Sequence, residues 1–245
     1  MEENKETYYI KIVANGPYLV YGNPPIDQEI IVLNEEGSPW VYRKGTHFEA
    51  PKTDDGHIAL CRCGHSRHKP FCDGSHQHAT DWDPTETNDK RPLLEDAEEI
   101  DGPTMTLADN EEYCAYARFC DAYGRVWNLV EMARSPKERD LVKHEVGHCP
   151  SGRLVLLDKE SGKVFEPPFP PSIGIIEDPG IKVSGPIWVK GGIRIESADG
   201  DSYEIRNRVT LCRCGQSQNK PFCDGTHASM HFQDHLPLEE KNEEW

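Results

Sequence analysis

The sequence lacks the features that would assign the protein to nucleic acid or to a membrane. Lys and Arg number 27 against 43 Asp and Glu, which gives a formal net charge of −16. Binding to phosphates or to an anionic membrane face needs a surplus of basic residues. No apolar run approaches the ~20 residues of a membrane-spanning helix. We therefore expect a soluble protein that binds neither nucleic acid nor membranes.

Two further absences bear on the compartment. Residues 1–6, Met-Glu-Glu-Asn-Lys-Glu, have neither the apolar core of a secretory signal nor the arginine content of a transit peptide. The nine cysteines are an odd number. An odd total without an export signal argues against a disulfide framework and favours metal binding in a reducing compartment. We therefore predict a cytoplasmic location.

An internal repeat organises the chain. Residues 61–76, CRCGHSRHKPFCDGSH, recur as residues 212–227, CRCGQSQNKPFCDGTH, with twelve of sixteen positions identical. The repeat extends upstream, where Gly16 and Gly185 are each followed by proline. From this glycine to the first cysteine, the first copy is about 18 residues longer, and we place the extra residues within 37–55. The chain therefore carries one module twice.

Short β-branched or aromatic runs, separated by Gly-Pro, Asn-Pro and Glu-Gly turns, predict strands upstream of both cysteine clusters. The predicted strands are 8–13, 18–21, 29–33, 40–43 and 57–60 in the first copy and 181–183, 187–190, 193–196, 202–205 and 209–211 in the second. Asp73 or Asp224 is then a suitable N-cap, which places the following His on the first turn of a short helix. We expect a mainly β fold with a small α content, of the α+β class.

Composition divides the chain into five segments. Residues 80–101 contain nine acidic residues and only two basic ones, which is typical of a solvated linker or wrapping segment. The predicted segments are a first repeat module at 1–79, an acidic linker at 80–101, a middle module at 102–171, a second repeat module at 172–236 and an acidic tail at 237–245.

Each repeated loop has the spacing Cys-x-Cys-x8-Cys-x3-His. Three thiols and one imidazole within one short loop can converge on a metal site at little cost in chain entropy. Buried structural thiols beside a surface His are a simpler alternative, but they do not explain why the His spacing occurs twice. Tetrahedral zinc accepts this ligand set, although its usual spacing is Cys-x2-4-Cys. The spacing therefore favours an iron–sulfur cluster with one imidazole ligand over zinc.

The motif Pro-Phe-Cys-Asp-Gly-Ser-His at 70–76, repeated at 221–227 with Thr for Ser, resembles the signature of the CDGSH iron–sulfur family, which includes mitoNEET. The resemblance implies one 2Fe–2S cluster in each copy, two in all. The implied ligands are Cys61, Cys63, Cys72 and His76 in the first copy and Cys212, Cys214, Cys223 and His227 in the second. In each copy the first two cysteines would hold one iron, and the third cysteine and the histidine the other. The upstream strands resemble the family's β-cap in placement only.

The chain departs from the mitoNEET type, which has a membrane anchor and one motif and forms a strand-swapped dimer. This sequence shows no anchor and has two motifs. We infer that the two modules pair within one chain as a pseudo-dimer, with the middle module inserted between them. A strand from each copy would then complete the β-cap of the other, and the protein would be a monomer with internal pseudo-two-fold symmetry.

The histidine ligand that the resemblance implies would affect the reduction potential and the acid stability of the cluster. Imidazole in place of thiolate makes a cluster less negative and raises its reduction potential relative to all-Cys clusters. Reduction would favour protonation of the free ring nitrogen of His76 or His227, which couples electron and proton uptake near neutral pH. Protonation of the ligating nitrogen would instead break the iron bond and release the cluster.

The middle module carries the remaining cysteines, Cys114, Cys120 and Cys149. Their pattern, Cys-x5-Cys…Cys-Pro, is similar to that of single-cluster ferredoxins that hold a 3Fe–4S cluster through three thiolates. The resemblance implies a third iron–sulfur cluster in a ferredoxin-like module. Two alternatives stay open: the thiols are merely buried, or His144 and His148 join Cys149 in a zinc site.

These residues predict an iron–sulfur protein that acts in one-electron transfer or redox sensing. The rival functions are storage and transfer of 2Fe–2S clusters, and a zinc-stabilised interaction module. An enzyme is not expected, because the sequence offers no nucleophile–base pair, phosphate-binding loop or signature of a substrate pocket. The expected partner is a redox protein or an apo-protein acceptor, and the acidic composition suggests that its docking face is basic.

Overall fold

The computed structural model describes residues 8–51 and 55–238 of the chain. The first copy contains strands β1 (Tyr9–Ile12), β2 (Tyr18–Tyr21), β3 (Ile26–Leu33), β4 (Pro39–His47) and β5 (Ile58–Leu60) and the 3-10 helix Ser75–His78. The middle module contains β6 (Glu98–Asp101), β7 (Met105–Asp109), the 3-10 helices Glu111–Tyr113 and Phe119–Asp121, helices α1 (Val126–Met132) and α2 (Pro136–His148), and strands β8 (Leu154–Asp158) and β9 (Lys163–Phe165). The second copy contains β10 (Ser172–Asp178), β11 (Val183–Lys190), β12 (Arg194–Glu196), β13 (Arg208–Leu211) and helix α3 (Thr226–Ser229). The mainly β class with few helices is confirmed.

Each copy contributes strands to the sheet of the other. Strand β1 pairs in parallel with β12 of the second copy, with Ile10 opposite Ile195. Strand β3 pairs in parallel with β10, with Gln28 opposite Ile175. Two sheets result, with strand orders β12-β1-β2-β5 and β13-β11-β10-β3-β4. The predicted exchange of strands between the copies is therefore present in the structure.

Both copies contribute to one apolar core. Its fully buried members include Ile10, Val20 and Leu60 from the first copy and Ile175, Ile187 and Leu211 from the second. Burial of one such aliphatic side chain contributes about 1.5–3 kcal/mol to folding. The two copies cannot separate without exposing this shared core, so they fold as one unit.

The middle module has its own sheet, with strand order β6-β7-β8-β9, and α1 and α2 pack against it. Helix α2 begins with a capping box between Ser135 and Glu138, and Pro136 occupies its first turn, where a missing N–H costs nothing. Although the acidic composition assigns residues 98–101 to the linker, they form the edge strand β6. The reason is that Ile100 packs on the module's core while its acidic neighbours face solvent.

The acidic linker wraps around the second copy. Leu93 is buried in the shared core, and the hydroxyl of Tyr203 donates a hydrogen bond to Glu86 at 2.6 Å. Lys90 lies 2.7 Å from Asp199. The linker therefore fixes the second copy relative to the chain between the repeats.

Some predicted strands differ from the structure. The predicted strand 181–183 is wrong, because residues 179–182 form a turn and β11 begins at Val183. Residues 202–205 contribute only an isolated bridge from Ser202 to Glu196. Strand β10 was missed, since it directly follows a proline-rich run that ends the middle module.

Other predicted boundaries shift. The helices that carry the histidines are present, but Gly74 and Gly225 occupy the N-cap positions instead of the preceding aspartates. The extra residues of the first copy lengthen β3 and add β4, so the insertion begins before residue 37. Most of the predicted acidic tail, 239–245, lies outside the described residues, as does the opening segment 1–7. Among the described residues we find no helix that is long and apolar enough to cross a membrane.

We expect the protein to sediment as one chain of 27.8 kDa. In the strand-swapped dimers that the motif resembles, a second chain supplies the exchanged strand, whereas here β12 and β3 supply it internally. Analytical ultracentrifugation of the purified protein measures the mass. A stable two-chain species over a range of concentrations would contradict the intramolecular pairing.

Candidate metal centres

Each ligand loop is held by the strand that leads into it. The backbone N–H of Cys61 donates to the carbonyl of Pro70 at 2.9 Å, and that of Cys72 donates to Ala59 at 2.8 Å. The hydroxyl of Ser66 closes the loop by donating to the carbonyl of Phe71. The second copy repeats all three bonds at its own positions. The loop conformation is therefore the same in both copies.

The four donors of each loop are arranged as two pairs. The Cys61 and Cys63 sulfurs lie 3.7 Å apart, and the equivalent pair in the second copy lies 3.8 Å apart. The third sulfur lies 3.4 Å from His76 Nδ1 in the first copy and 3.3 Å from His227 Nδ1 in the second. A tetrahedral metal holds two thiolates about 3.8 Å apart, and a thiolate and an imidazole nitrogen about 3.5 Å apart. Each pair therefore has the spacing of two ligands on one ion.

Within the described ranges, no three ligating side chains lie close enough to share a single ion. The donors of a loop thus stand as two plus two. One pair of donors on each of two ions is the arrangement that a cluster with two metal ions needs. The structure places the eight predicted ligands in four close pairs, which are the pairs that the resemblance implies.

In each loop one thiol of the Cys-x-Cys pair ionises readily. A hydrogen bond from Cys63 lowers the pKa of the Cys61 thiol to about 6, and a hydrogen bond from Cys214 lowers the pKa of Cys212 to about 7. Thiolate is the form that binds metal. Burial lowers the pKa of His227 to about 4, so its imidazole is neutral, as a metal ligand must be.

A buried arginine separates the first two ligands of each loop. Arg62 donates from Nε to the carbonyl of Gly16 at 2.6 Å, and Arg213 donates to Gly185 at 2.8 Å. These glycines belong to the Gly-Pro turns that open the repeat. The arginine therefore joins the ligand loop to the beginning of its own module, a role that the sequence analysis missed although the residue is identical in both copies.

The two arginines differ in their counter-charges. Arg213 forms ion pairs with Asp234 and, at 2.9 Å, with Glu177, and all three side chains are buried. Arg62 instead donates to the carbonyls of Val13 and Pro84 and lies 5.1 Å from the ring centre of Trp82. The positive charge of Arg62 therefore faces carbonyl oxygens and an aromatic ring, whereas that of Arg213 is neutralised by carboxylates.

An aromatic side chain covers each Cys-x-Cys pair. Trp82 follows His76 by six residues and Phe232 follows His227 by five, and each ring packs against the two thiols of its own copy. Neither ring was predicted from the sequence, because the two copies share no identical residue between the histidines and these rings.

Two of the middle thiols line a cavity of about 440 Å³. Cys114 and Cys120 share its wall with Trp127 and three arginines, Arg118, Arg125 and Arg153. Burial, and next the neighbouring thiol of Cys149, raise the pKa of Cys120 to about 12. Metal binding there would displace a proton from this thiol. The three cysteines of the middle module are thus near enough to influence one another.

The side chain of Arg153 makes this cavity suitable for an iron–sulfur cluster. Its side chain is buried, Nε lies 3.4 Å from Asp109, and Nη1 has no hydrogen-bond partner among residues 8–51 and 55–238. A donor without a partner beside three thiols suits a cluster whose sulfur atoms accept hydrogen bonds. The two histidines of the zinc alternative instead contact carbonyl oxygens. His144 contacts the carbonyl of Trp40, and His148 contacts the carbonyl of His144.

Replacing Asp234 by Asn should destabilise the protein strongly. The change leaves the buried guanidinium of Arg213 with one carboxylate partner instead of two, and breaking a buried pair costs about 3 kcal/mol. Urea unfolding followed by circular dichroism measures the loss. Glu160→Gln, which breaks the exposed pair with Arg139, is the control and should cost less than about 0.5 kcal/mol. Equal losses of stability in the two variants would show that the buried ion pair contributes no more than the exposed one.

Glu145 should make stability fall as the pH rises. Burial raises the pKa of its carboxyl to about 7 from the usual 4.5, so the unfolded chain ionises first and stability declines between these values, by up to about 3 kcal/mol. We expect Glu145→Gln to unfold at a higher temperature than the parent at pH 8 and at the same temperature at pH 4.5. Glu131→Gln on α1 is the control for net charge. A Glu145→Gln variant with no gain at pH 8 would refute the argument.

Comparison with protein-family models gives two matches. The model described as iron-binding zinc finger CDGSH type matches residues 15–77 and 184–228. The model described as divergent 4Fe-4S mono-cluster matches residues 100–159. Neither the curated proteins nor the solved structures contain a match to the chain.

The matched segments contain the candidate ligands. Each CDGSH segment includes the four donors of its loop, and the middle segment includes all three remaining cysteines. The family description names a four-iron cluster for the middle segment, whereas the three-cysteine spacing was compared with a three-iron one. The chain carries two CDGSH-type iron-binding segments, which implies binding of iron–sulfur clusters, and these segments flank a divergent 4Fe–4S mono-cluster domain.

Proposed function

We propose that the protein is a one-electron carrier or redox-responsive protein with a 2Fe–2S cluster in each CDGSH-type loop. The observation that carries the proposal is the two-plus-two arrangement of three thiols and one imidazole, repeated at the same spacings in both copies. When bound, such a cluster takes up and releases one electron. The chain supplies the ligands, an aromatic cover and a buried arginine for each loop.

The histidines are suited to accept a proton with the electron. In both copies Nδ1 is the ring nitrogen that faces the neighbouring thiol, so Nε2 is left for proton exchange. His227 is buried, and burial opposes its protonation, whereas His76 is partly exposed. We therefore place proton coupling mainly at the first loop.

For the middle domain we propose a 4Fe–4S cluster held by Cys114, Cys120 and Cys149. Three cavity arginines would offset its negative charge, and Arg153 would donate a hydrogen bond to it. The family description supports four irons, although the chain provides three thiolates there, which is also enough for a three-iron cluster. The number of irons decides between them.

Cluster storage and transfer is the second candidate function. It is favoured by the exposure of Cys72 and His76, the pair whose loss would release the cluster from the first loop. On either proposal the protein is a carrier and not an enzyme, it works in the reducing cytoplasm as a single chain, and its partner is a redox protein or an apo-protein. The free state of all nine cysteines suits that compartment.

Anaerobically purified protein should contain about eight irons and about eight acid-labile sulfides per chain and show a red-brown colour. Cys120→Ser should remove about four irons, and His76→Ala should weaken or remove one 2Fe–2S cluster. His78→Ala, on the same short helix, is the matched control and should keep the full content.

Other metal contents would distinguish the alternative cluster types from one another and from a zinc-binding module. About seven irons would mean a three-iron middle cluster, and about four would mean that the middle domain binds none. A colourless protein with about two zinc ions would overturn the redox proposal and leave a structural module.

A further inference from the structure

The two ligand loops, 61–76 and 212–227, differ at four positions, and three of these lie at the tip of the loop. The first tip has His65, Arg67 and His68, and the second has Gln216, Gln218 and Asn219. Because the ligands are the same in both loops, the change at the tip reflects what each tip faces.

The second tip lies against the rest of the chain. The hydroxyl of Thr87 in the linker donates to the carbonyl of Gln218 at 2.7 Å, and its backbone N–H donates to the carbonyl of Lys220 at 2.8 Å. Asn219 donates from Nδ2 to the carbonyl of Glu112 in the middle domain at 2.9 Å. Amide side chains both donate and accept, so they suit an internal contact of this kind.

The middle domain also covers the ligand end of the second loop. A Cβ atom added at Gly225 would lie 3.0 Å from the carbonyl oxygen of Cys114, whereas one added at Gly74 would meet nothing within 4 Å among the described residues. His227 is only 4% exposed, while His76 is partly exposed. The second loop therefore faces the middle cysteines, and the first faces solvent.

The exposed tip is a basic position on an acidic protein. Arg67 is exposed beside the partly exposed Lys69. The nearby carboxylate of Asp73 accepts hydrogen bonds from the backbone N–H groups of Arg67 and Ser75, at 2.9 and 3.0 Å, so it is directed into the loop. Arg67 thus presents an exposed guanidinium at this tip, where the exposed carboxylate of Asp81 is paired with His65.

The two histidines of this tip are paired within the chain. His65 lies 3.0 Å from Asp81, and His68 lies 3.6 Å from Asp73. Lys69 donates to the carbonyl of Ser66 at 3.0 Å. The attraction for an anionic partner therefore comes from the cationic side chains of the tip and not from the histidines.

We propose that the first loop is the docking surface through which the protein exchanges electrons with an acidic protein partner, and that the second loop exchanges only with the middle domain. The inference rests on the proposed function and refines its partner. The chain as a whole suits a basic partner, but the loop that exposes its ligands presents Arg67. In each exchange one electron leaves the reduced protein, the partner gains it, and no atom is transferred.

The test compares two one-electron acceptors of opposite charge, plastocyanin, an acidic copper protein, and cytochrome c, a basic haem protein. Stopped-flow absorbance follows their reduction by the reduced protein at about 20 mM and about 500 mM salt. We expect Arg67→Gln, which installs the residue of the second tip, to slow the reduction of plastocyanin about threefold at low salt and to leave that of cytochrome c unslowed. High salt should abolish the difference.

Arg134→Gln is the matched control, since it changes the net charge equally at an exposed position outside the loop. Equal effects of Arg67→Gln and Arg134→Gln on plastocyanin would overturn the docking surface while leaving the redox proposal intact. Protein that binds no cluster, or that cannot be reduced, would instead overturn the proposed function itself.

A second comparison tests whether the middle domain closes the other loop. With an iron chelator we expect the 2Fe–2S absorbance to bleach in a fast phase from the first loop and a slow phase from the second. Gly225→Ala should accelerate the slow phase severalfold, because its Cβ would push against Cys114. Gly74→Ala has the same positive φ of 86° and thus the same backbone strain, and it should leave the slow phase unchanged. A single phase in the parent, or equal acceleration by both variants, would contradict the closure.

Discussion

In each copy, a buried guanidinium fixes the ligand loop to the turn that opens its module. Arg62 and Arg213 stand between two ligand cysteines and bond the carbonyls of Gly16 and Gly185. In an extended segment, neighbouring side chains point to opposite sides. A spacing of Cys-x-Cys therefore directs both thiols to the metal and the arginine into the protein. Because of this tight spacing, which is unusual for zinc, two ligands and the anchoring arginine lie within three consecutive residues.

The exchange of strands brings the two anchored loops together. A Cβ atom at Gly64 would lie 2.6 Å from the carbonyl oxygen of Cys214, and one at Gly215 would lie 2.6 Å from that of Cys63. Both glycines are needed because no side chain fits between the loops at this distance. The hydroxyl of Tyr18 also crosses from the first copy to the carbonyl of Cys212 at 3.0 Å. Each ligand loop therefore depends on the other for its packing.

The features that could be predicted from the sequence are mainly those that the internal repeat displays, and the features that were missed are mainly those that differ between the copies. The ligand spacing and the short helices follow from comparing one copy with the other, and the exchanged strands follow from the resemblance to strand-swapped dimers. Asp234, Trp82 and Arg153 could not be found in this way, because each matters through a contact distant in the chain or present in one copy only. Strand β6 was missed because Ile100 is the one apolar residue among acidic ones, and only the middle core explains its pairing.

Insertion of the middle domain between the copies explains why a symmetric duplication has unequal loops. The linker and the middle domain both follow the first loop in the chain. The linker contacts both loops, through Pro84 on the first and Thr87 on the second, whereas the middle domain packs on the second. The middle domain helps to bury His227, and the second copy itself supplies Arg213 with two carboxylates, while Arg62 has carbonyls and an aromatic ring. Burial and local charge both alter the potential of an iron–sulfur cluster. Clusters bound by identical ligands in the two loops would therefore have different electrostatic surroundings and different reduction potentials.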